Sequence, residues 1–277
     1  MSILLIDLHQ IFFSTLMTQL FGRKDVPLDE NLYRHMVLNT IRANRVKFKE
    51  YDQVVIATDA KSWRKDVFPF YKANRKTDRD KSGFDWNEIF ASLHKIREEI
   101  KANFPYRVIY VEGAEADDII SYVARYEASE KVMIVSGDKD FVQLQMIPGV
   151  QQYDPIRKKF ISENNPGEYL LDHVLRGDSG DGIPNALSDD DTFVNESKRQ
   201  IPLTKKKLNE LKNRIDKENI PFYTRNLELI DLTMTPEIIC GDILAAYRAE
   251  EGKDRKKLFN YFVEHRLSNL MQNIQEF

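Results

Sequence analysis

Three short apolar runs each stop at an aspartate. Residues 3–6 (ILLI) end at Asp7, and residues 53–58 (QVVIAT) end at Asp59. Residues 132–135 (VMIV) break at Ser136-Gly137 and lead into Asp138 and Asp140. Aliphatic runs of this length read as β-strands. Between them lie helical periods: Leu32, Met36, Val37, Ile41 and Val46 within residues 31–48, and Ile89, Phe90, Leu93, Ile96 and Ile100 within residues 86–103. A further short strand is expected at 107–111 and a helix near 115–128, and residues 150–153 and 158–161 suit a small hairpin. Strand and helix in alternation predict an α/β fold with a mostly parallel central sheet flanked by helices. In open parallel sheets ligands bind outside the carboxyl ends of the strands. The aspartates that end the runs therefore point to one sheet edge.

Beyond about residue 165 no strand is expected. Residues 204–215, 219–231, 235–248 and 255–274 have helical patterns, and the acidic stretch 187–196 (LSDDDTFVNE) reads as a mobile loop. This divides the chain into an α/β part, residues 1–164, and a helical C-terminal region, residues 165–277. The single Cys240 excludes a disulfide framework within one chain and any cysteine-based metal site, and it fits a reducing compartment. Asp7 cuts the first apolar run short of a signal or membrane segment, and no later run reaches membrane length. A cytosolic protein with no membrane association is expected.

A formal net charge of −3 hides a segregated distribution. Residues 61–81 hold eight Lys/Arg against three Asp, and residues 198–217 hold eight against two acids. Basic stretches beside an acidic focus suit a polyanion binder with a cation-filled site, though solvated surfaces would give the same counts.

The acidic focus is Glu115, Asp117 and Asp118 at the start of a helix, together with Asp138 and Asp140 after a strand. Glu115 and Asp118, three apart, share a helix face. Taken alone, acid at a helix N-terminus is explained by the helix dipole. Joined by Asp7 and Asp59 at one edge, so many carboxylates need cations or protonation. No matching set of buried Arg or Lys is evident, and the five histidines are scattered without metal-ligand spacing. Oxygen-only ligands favour Mg²⁺ or Mn²⁺ over Zn²⁺. A cluster this large suggests two ions, the arrangement of two-metal phosphodiester hydrolysis. Asp178 and Asp181 in the turn 176–184 (RGDSGDGIP) are candidates for the second ion.

These motifs, in this order, resemble the 5′-nuclease (flap endonuclease) superfamily: ILLIDL, VVIATD, EAD, SGDKDF and GDSGDGIP. The C-terminal run 258–277 is most similar to the ribonuclease H branch found in T-even bacteriophages. The resemblance implies a Mg²⁺-dependent 5′-to-3′ exonuclease and flap endonuclease, with Mn²⁺ able to substitute. Its substrates would be RNA–DNA hybrids and duplex or flapped DNA, cut during primer removal in phage DNA replication in the host cytoplasm. Asp7, Asp59, Asp117 and Asp138 would surround the first ion, and Asp140, Asp178 and Asp181 the second. Glu115 would bridge or orient water, and Asp118 is the weakest member of the set. Residues 63–76 resemble the family's bridge region, part of a basic arch at about 61–84. Lys72 and Arg75 match its YKxNR and would contact the scissile phosphate. Lys61, Arg64 and Lys65 would line the approach, with Lys76 beside them. Tyr71, Phe68 and Phe70 suit either base stacking or core packing.

One departure stands out. The family's GDxSDNIPGVPGIG leads into a K⁺-binding hairpin that grips duplex, whereas here Ile183-Pro184 is followed by NALSDDDTF. Duplex contact is therefore assigned to residues 198–217, with Lys205, Lys206 and Lys207 at its centre. Gly180 and Gly182, in place of the usual Ser and Asn, are expected to loosen the turn that holds Asp181. The resemblance allows a single-strand-binding protein and a sliding clamp as partners of a monomer. A PIN-type ribonuclease would share the sheet and acids but lack the basic insertion. A structural nucleic-acid-binding protein without catalysis would be expected to lose acids that are all present.

Overall fold

The computed structural model describes residues 1–20 and 28–277. Its elements run in the order β1 (Ile3–Asp7), α1 (Leu8–Leu20), α2 (Glu30–Lys47), β2 (Gln53–Ala57), α3 (Arg64–Val67), α4 (Asn74–Ser82), α5 (Trp86–Asn103) and β3 (Arg107–Ile109). Next come α6 (Ala116–Tyr126), β4 (Val132–Val135), a 3₁₀ helix at Lys139–Met146, β5 (Val150–Asp154), β6 (Lys159–Ile161) and α7 (Pro166–Arg176). The remainder is helical: α8 (Lys205–Lys212), α9 (Tyr223–Ile230), α10 (Glu237–Ala249), α11 (Leu258–Glu264) and α12 (Ser268–Met271).

The strands form one sheet in the order β3-β2-β1-β4-β5-β6. All neighbours are parallel except the β5–β6 hairpin. The strand order reverses on either side of β1, which makes the β1/β4 neighbourhood the switch point where ligands bind in such sheets. Asp7 ends β1 and Asp138 follows β4, so the sequence places carboxylates at that point.

Both faces of the sheet are covered, which explains the unbroken apolar runs. Leu4 and Ile6 face one layer with Phe12, Leu38, Ile41 and Phe104. Ile3 and Leu5 face the other with Ile119, Ile120 and Val123. The C-terminal helices join these same layers. Leu258, Phe262, Leu270 and Phe277 complete the first, and Ile243 and Tyr247 the second.

Two expectations change. The helix over 255–274 is broken: Arg266 takes a left-handed φ of 54°, and Leu267 N–H bonds back to Phe262 O. The break turns Leu267, Leu270 and Phe277 into the aromatic layer. The stretch 187–196 is irregular, yet it is tied down rather than loose. Lys198 pairs with Asp189 and Asp191, Arg225 pairs with Asp190, and Ser188 and Thr192 are buried. No helix among the described residues is long and apolar enough to cross a membrane.

Candidate active site

Short loops at the carboxyl ends of β1, β2 and β4 carry the first acids. Asp7 closes β1 and is almost covered, at 8% exposure. It accepts from Gln10 N–H at 3.1 Å and Ser136 Oγ at 3.1 Å. Asp59 follows β2 and accepts from Ala116 N–H at 2.6 Å, so it clasps the start of α6. Gln10 and Gln152 hold the Ser136–Asp138 loop by its backbone. Gln10 Oε1 accepts from Gly137 N–H at 2.7 Å, and Gln152 Nε2 donates to Ser136 O at 2.9 Å. Asp138 then caps the following 3₁₀ turn by accepting from Asp140 N–H. These positioning amides carry no motif signal of their own.

The second part of the site is built on the turn after α7. Gly177 has a φ of 67°, and a β-carbon there would lie 2.3 Å from Ile183 O, so only glycine fits. Asp178 Oδ1 accepts from Gly180 N–H at 2.7 Å and Asp181 N–H at 3.1 Å. Gly182, with a φ of 75°, would bring a β-carbon to 3.0 Å from Phe70 O, and Lys72 N–H donates to Asp181 O at 2.7 Å. Gly182 therefore draws this turn against the basic segment instead of loosening it. Lys72 itself has a left-handed φ of 55°, a conformation that costs a non-glycine residue energy and is common at functional positions.

Contrary to the sequence expectation, buried cations do stand beside the acids. Arg64 is only 2% exposed; its guanidinium meets Asp118 at 3.0 and 3.1 Å and Glu115 at 3.2 Å, and its Nε donates to Leu229 O at 2.8 Å. It is a scaffold residue and does not line an approach for nucleic acid. Asp118 is likewise withdrawn from the acidic cleft. It accepts from Glu115 N–H as a helix cap, from Thr235 Oγ1 and from Trp63 Nε1. It is therefore corrected from metal ligand to buried anchor of α6. Tyr71 is 3% exposed, with its hydroxyl donating to Glu115 at 2.8 Å or Asp181 at 3.0 Å, so it offers no face to a base. Phe68 packs in the same cluster, with Phe70 against it.

Lys72 and Arg75 reach across to the acids. Lys72 Nζ lies 2.5 Å from Glu115 and 3.4 Å from Asp181, and Arg75 lies 2.6 Å from Asp181. Burial disfavours the Lys72 ammonium, but Asp181 and Glu115 outweigh it and hold its pKa above the ordinary value. Burial likewise opposes ionisation of Glu115, yet Lys72 and Arg64 bring its carboxyl down to about 2. Lys61, Lys65 and Lys76 are exposed on the same segment, and Lys205, Lys206 and Lys207 are exposed in the first turn of α8. That turn contains no acid, so the three ammonium groups face an unfavourable helix dipole.

The remaining acids behave differently. Burial, then Asp59, pushes Asp7 up to about 7; burial, then Asp138, does the same to Asp140. Asp117 is raised by burial and by Asp138 and Asp140, and Asp138 is raised chiefly by burial. Carboxylates crowded in this way are stabilised by protonation or by a cation. One ligand atom each from Asp140, His173 and Asp178 lie within 4.8 Å of one another, a donor set suited to a divalent ion. His173 Nε2 is 3.2 Å from Asp178, and Nδ1 is 3.6 Å from Asp140. Spacing from another histidine does not mark His173. The available signal was a histidine in the last turn of a helix, five residues before Asp178. His9 also meets an acid, with Asp59 N–H donating to its Nδ1 at 3.1 Å.

Comparison with known proteins agrees with this geometry. The family described as "5'-3' exonuclease, N-terminal resolvase-like domain" matches residues 2–168, and "T4 RNase H, C terminal" matches residues 168–277. Ribonuclease H of Enterobacteria phage T4 is 32% identical over 293 residues, covering 99% of this chain and 95% of that protein. Flap endonuclease Xni of Shewanella sp. strain MR-4 is 32% identical over 150 residues, 50% of this chain and 54% of that protein. Among solved structures, the T5 D15 protein co-crystallized with metal ions superposes with a TM-score of 0.62 at 18% identity, covering 89% of this chain and 93% of that one, a likeness of fold. With a family match across residues 2–168 and a relative aligned along nearly its whole length, the chain belongs to the 5′-3′ exonuclease family.

Proposed function

We propose that this chain is a Mg²⁺-dependent 5′-to-3′ exonuclease and flap endonuclease acting on RNA–DNA hybrids and on duplex or flapped DNA. Removal of RNA primers in phage DNA replication, in the host cytoplasm, is the setting that fits. The carrying observation is the juxtaposition of Asp7, Asp59, Asp117, Asp138, Asp140 and Asp178 with Lys72 and Arg75, which meet Glu115 and Asp181 across one cleft. Two Mg²⁺ ions are proposed. Asp7, Asp59, Asp117 and Asp138 would hold one, and Asp140, Asp178 and Asp181 the other. When bound, such ions activate water and stabilise the attacking and leaving oxygens of an in-line displacement. The protein's own contribution is charge and position. Lys72 and Arg75 are held protonated at the cleft, where they would meet the scissile phosphate as negative charge builds on it. Glu115, kept ionised, fixes Lys72 and would orient water.

Residues 1–164 are proposed to carry the chemistry and residues 165–277 to contact duplex, through Lys205, Lys206 and Lys207. Lys61, Lys65 and Lys76 would guide the 5′ strand. The protein is proposed to act as a monomer, with a single-strand-binding protein and a sliding clamp as partners. Digestion of a 5′-labelled flap and of an RNA–DNA hybrid tests the reading. Both are expected to be cut with Mg²⁺ and left intact with EDTA, and Asp138→Asn is expected to bind DNA without cleaving it. Normal turnover by that variant would refute the assignment.

A further inference from the structure

The second group of acids is not the all-carboxylate set that its sequence motif suggests. Both oxygens of Asp181 are engaged by the basic segment, which leaves it a water-mediated place around the ion: one oxygen meets Arg75 at 2.6 Å, and the other meets Tyr71 at 3.0 Å and Lys72 at 3.4 Å. Beside the other two acids stands His173, with Nε2 3.2 Å from Asp178 and Nδ1 3.6 Å from Asp140. The two distances run from different ring nitrogens and only one can bind a given ion; one ligand atom each from His173, Asp140 and Asp178 lie within 4.8 Å of one another, about the span of ligands around one cation. The imidazole is also held in place. His173 lies in the last turn of α7, next to buried Val174 and Leu175, and its side chain is 14% exposed. Its carbonyl accepts from Gly177 N–H at 2.8 Å, which couples it to the turn that presents Asp178.

We propose that His173 is a nitrogen ligand of the second cation position and gives that position a preference for Mn²⁺ over Mg²⁺. This rests on the metal-dependent nuclease reading above and adds to it an inequality between the two positions. Mg²⁺ demands hard oxygen ligands, whereas Mn²⁺ accepts an imidazole more readily. The first position has only oxygens from Asp7, Asp59, Asp117 and Asp138. The nearby His9 has its Nδ1 lone pair taken by Asp59 N–H.

The test is Mn²⁺ binding to the full chain without nucleic acid, followed by electron paramagnetic resonance. Pulsed spectra of the wild type are expected to show ¹⁴N coupling from a directly bound imidazole. His173→Gln is expected to lose that coupling and to bind Mn²⁺ about tenfold or more weakly, while Mg²⁺ affinity, read by competition, falls by a clearly smaller factor. Bound Mn²⁺ with no nitrogen coupling in the wild type would overturn the proposal whether or not the variant folds, and would leave the nuclease reading standing. Coupling that survives in His173→Gln, or equal losses for both ions, would overturn it too. A chain that binds neither ion would sink both readings.

Discussion

Replacing Arg64 separates a scaffold role from a nucleic-acid contact. Its guanidinium and the Asp118 carboxylate are 2% and 0% exposed and lie 3.0 Å apart, so solvent screening is slight. Arg64→Ala leaves Asp118 buried without its counter-charge and strands Leu229 O, which had accepted from Arg64 Nε. Removing one partner of such a pair costs about 3–5 kcal/mol. Asp118 keeps Thr235 Oγ1 at 2.8 Å and Glu115 N–H at 2.9 Å, which argues for the lower end, about 3 kcal/mol. At about 2–4 °C per kcal/mol for a chain of this size, the melting temperature should fall by roughly 6–12 °C. Circular dichroism melts in EDTA would read this without interference from metal. Arg64→Met/Asp118→Asn removes both charges together and should recover more than half of the loss. The salt dependence of duplex binding should not change, because each lost phosphate contact would flatten the slope by about 0.9 and Arg64 makes none. An unchanged melting temperature with a flatter slope would refute the scaffold reasoning.

Lys72→Ala should lower turnover at saturating substrate by more than about tenfold, the mark of a contact made in the transition state; an effect on KM alone would make Lys72 a positioning contact. Neutralising Lys205, Lys206 and Lys207 together should flatten the salt slope of duplex binding by about 2–3, and an unchanged slope would remove α8 from the interface. Asp7 and Asp140 have carboxyls raised to about 7, so the folded chain holds protons that the unfolded chain has released above about pH 4. Stability without metal should therefore fall as pH rises from about 4 to about 7, by up to about 1.4 kcal/mol per pH unit for one proton. In EDTA the melting temperature should be lower at pH 8 than at pH 5.5, and Mg²⁺ should raise it more at pH 8; equal gains at both pH values would contradict the charge-crowding account.

Strands β1, β2 and β4 were legible because they are buried on both faces, which leaves short runs that are almost wholly apolar. Asp7, Asp59 and Asp138 were legible for a related reason: a strand's carboxyl end fixes where the next side chains can go. The basic segment was harder, because charge in a sequence carries no direction. Lys61, Arg64, Lys65 and Lys72 look alike within residues 61–72, yet Arg64 turns inward to Asp118 while Lys61 and Lys65 stay outside. What decides this is Leu229 O and Thr235, which meet Arg64 and Asp118 from far along the chain. The positions of Tyr71 and His173 are hard to read for the same reason. Their partners, Glu115 and Asp181 for one and Asp140 for the other, are brought to them by the fold. Glycines 177 and 182 show the converse. A looser turn is the expectation for Gly180 and Gly182, but the backbone packs so closely at Gly177 and Gly182 that their lack of a side chain is what lets the turn close on Ile183 and Phe70. That closure sets Asp178 beside His173 and ties Asp181 to Lys72, so the placing of these acids follows from steric fit at two glycines as much as from the acids themselves.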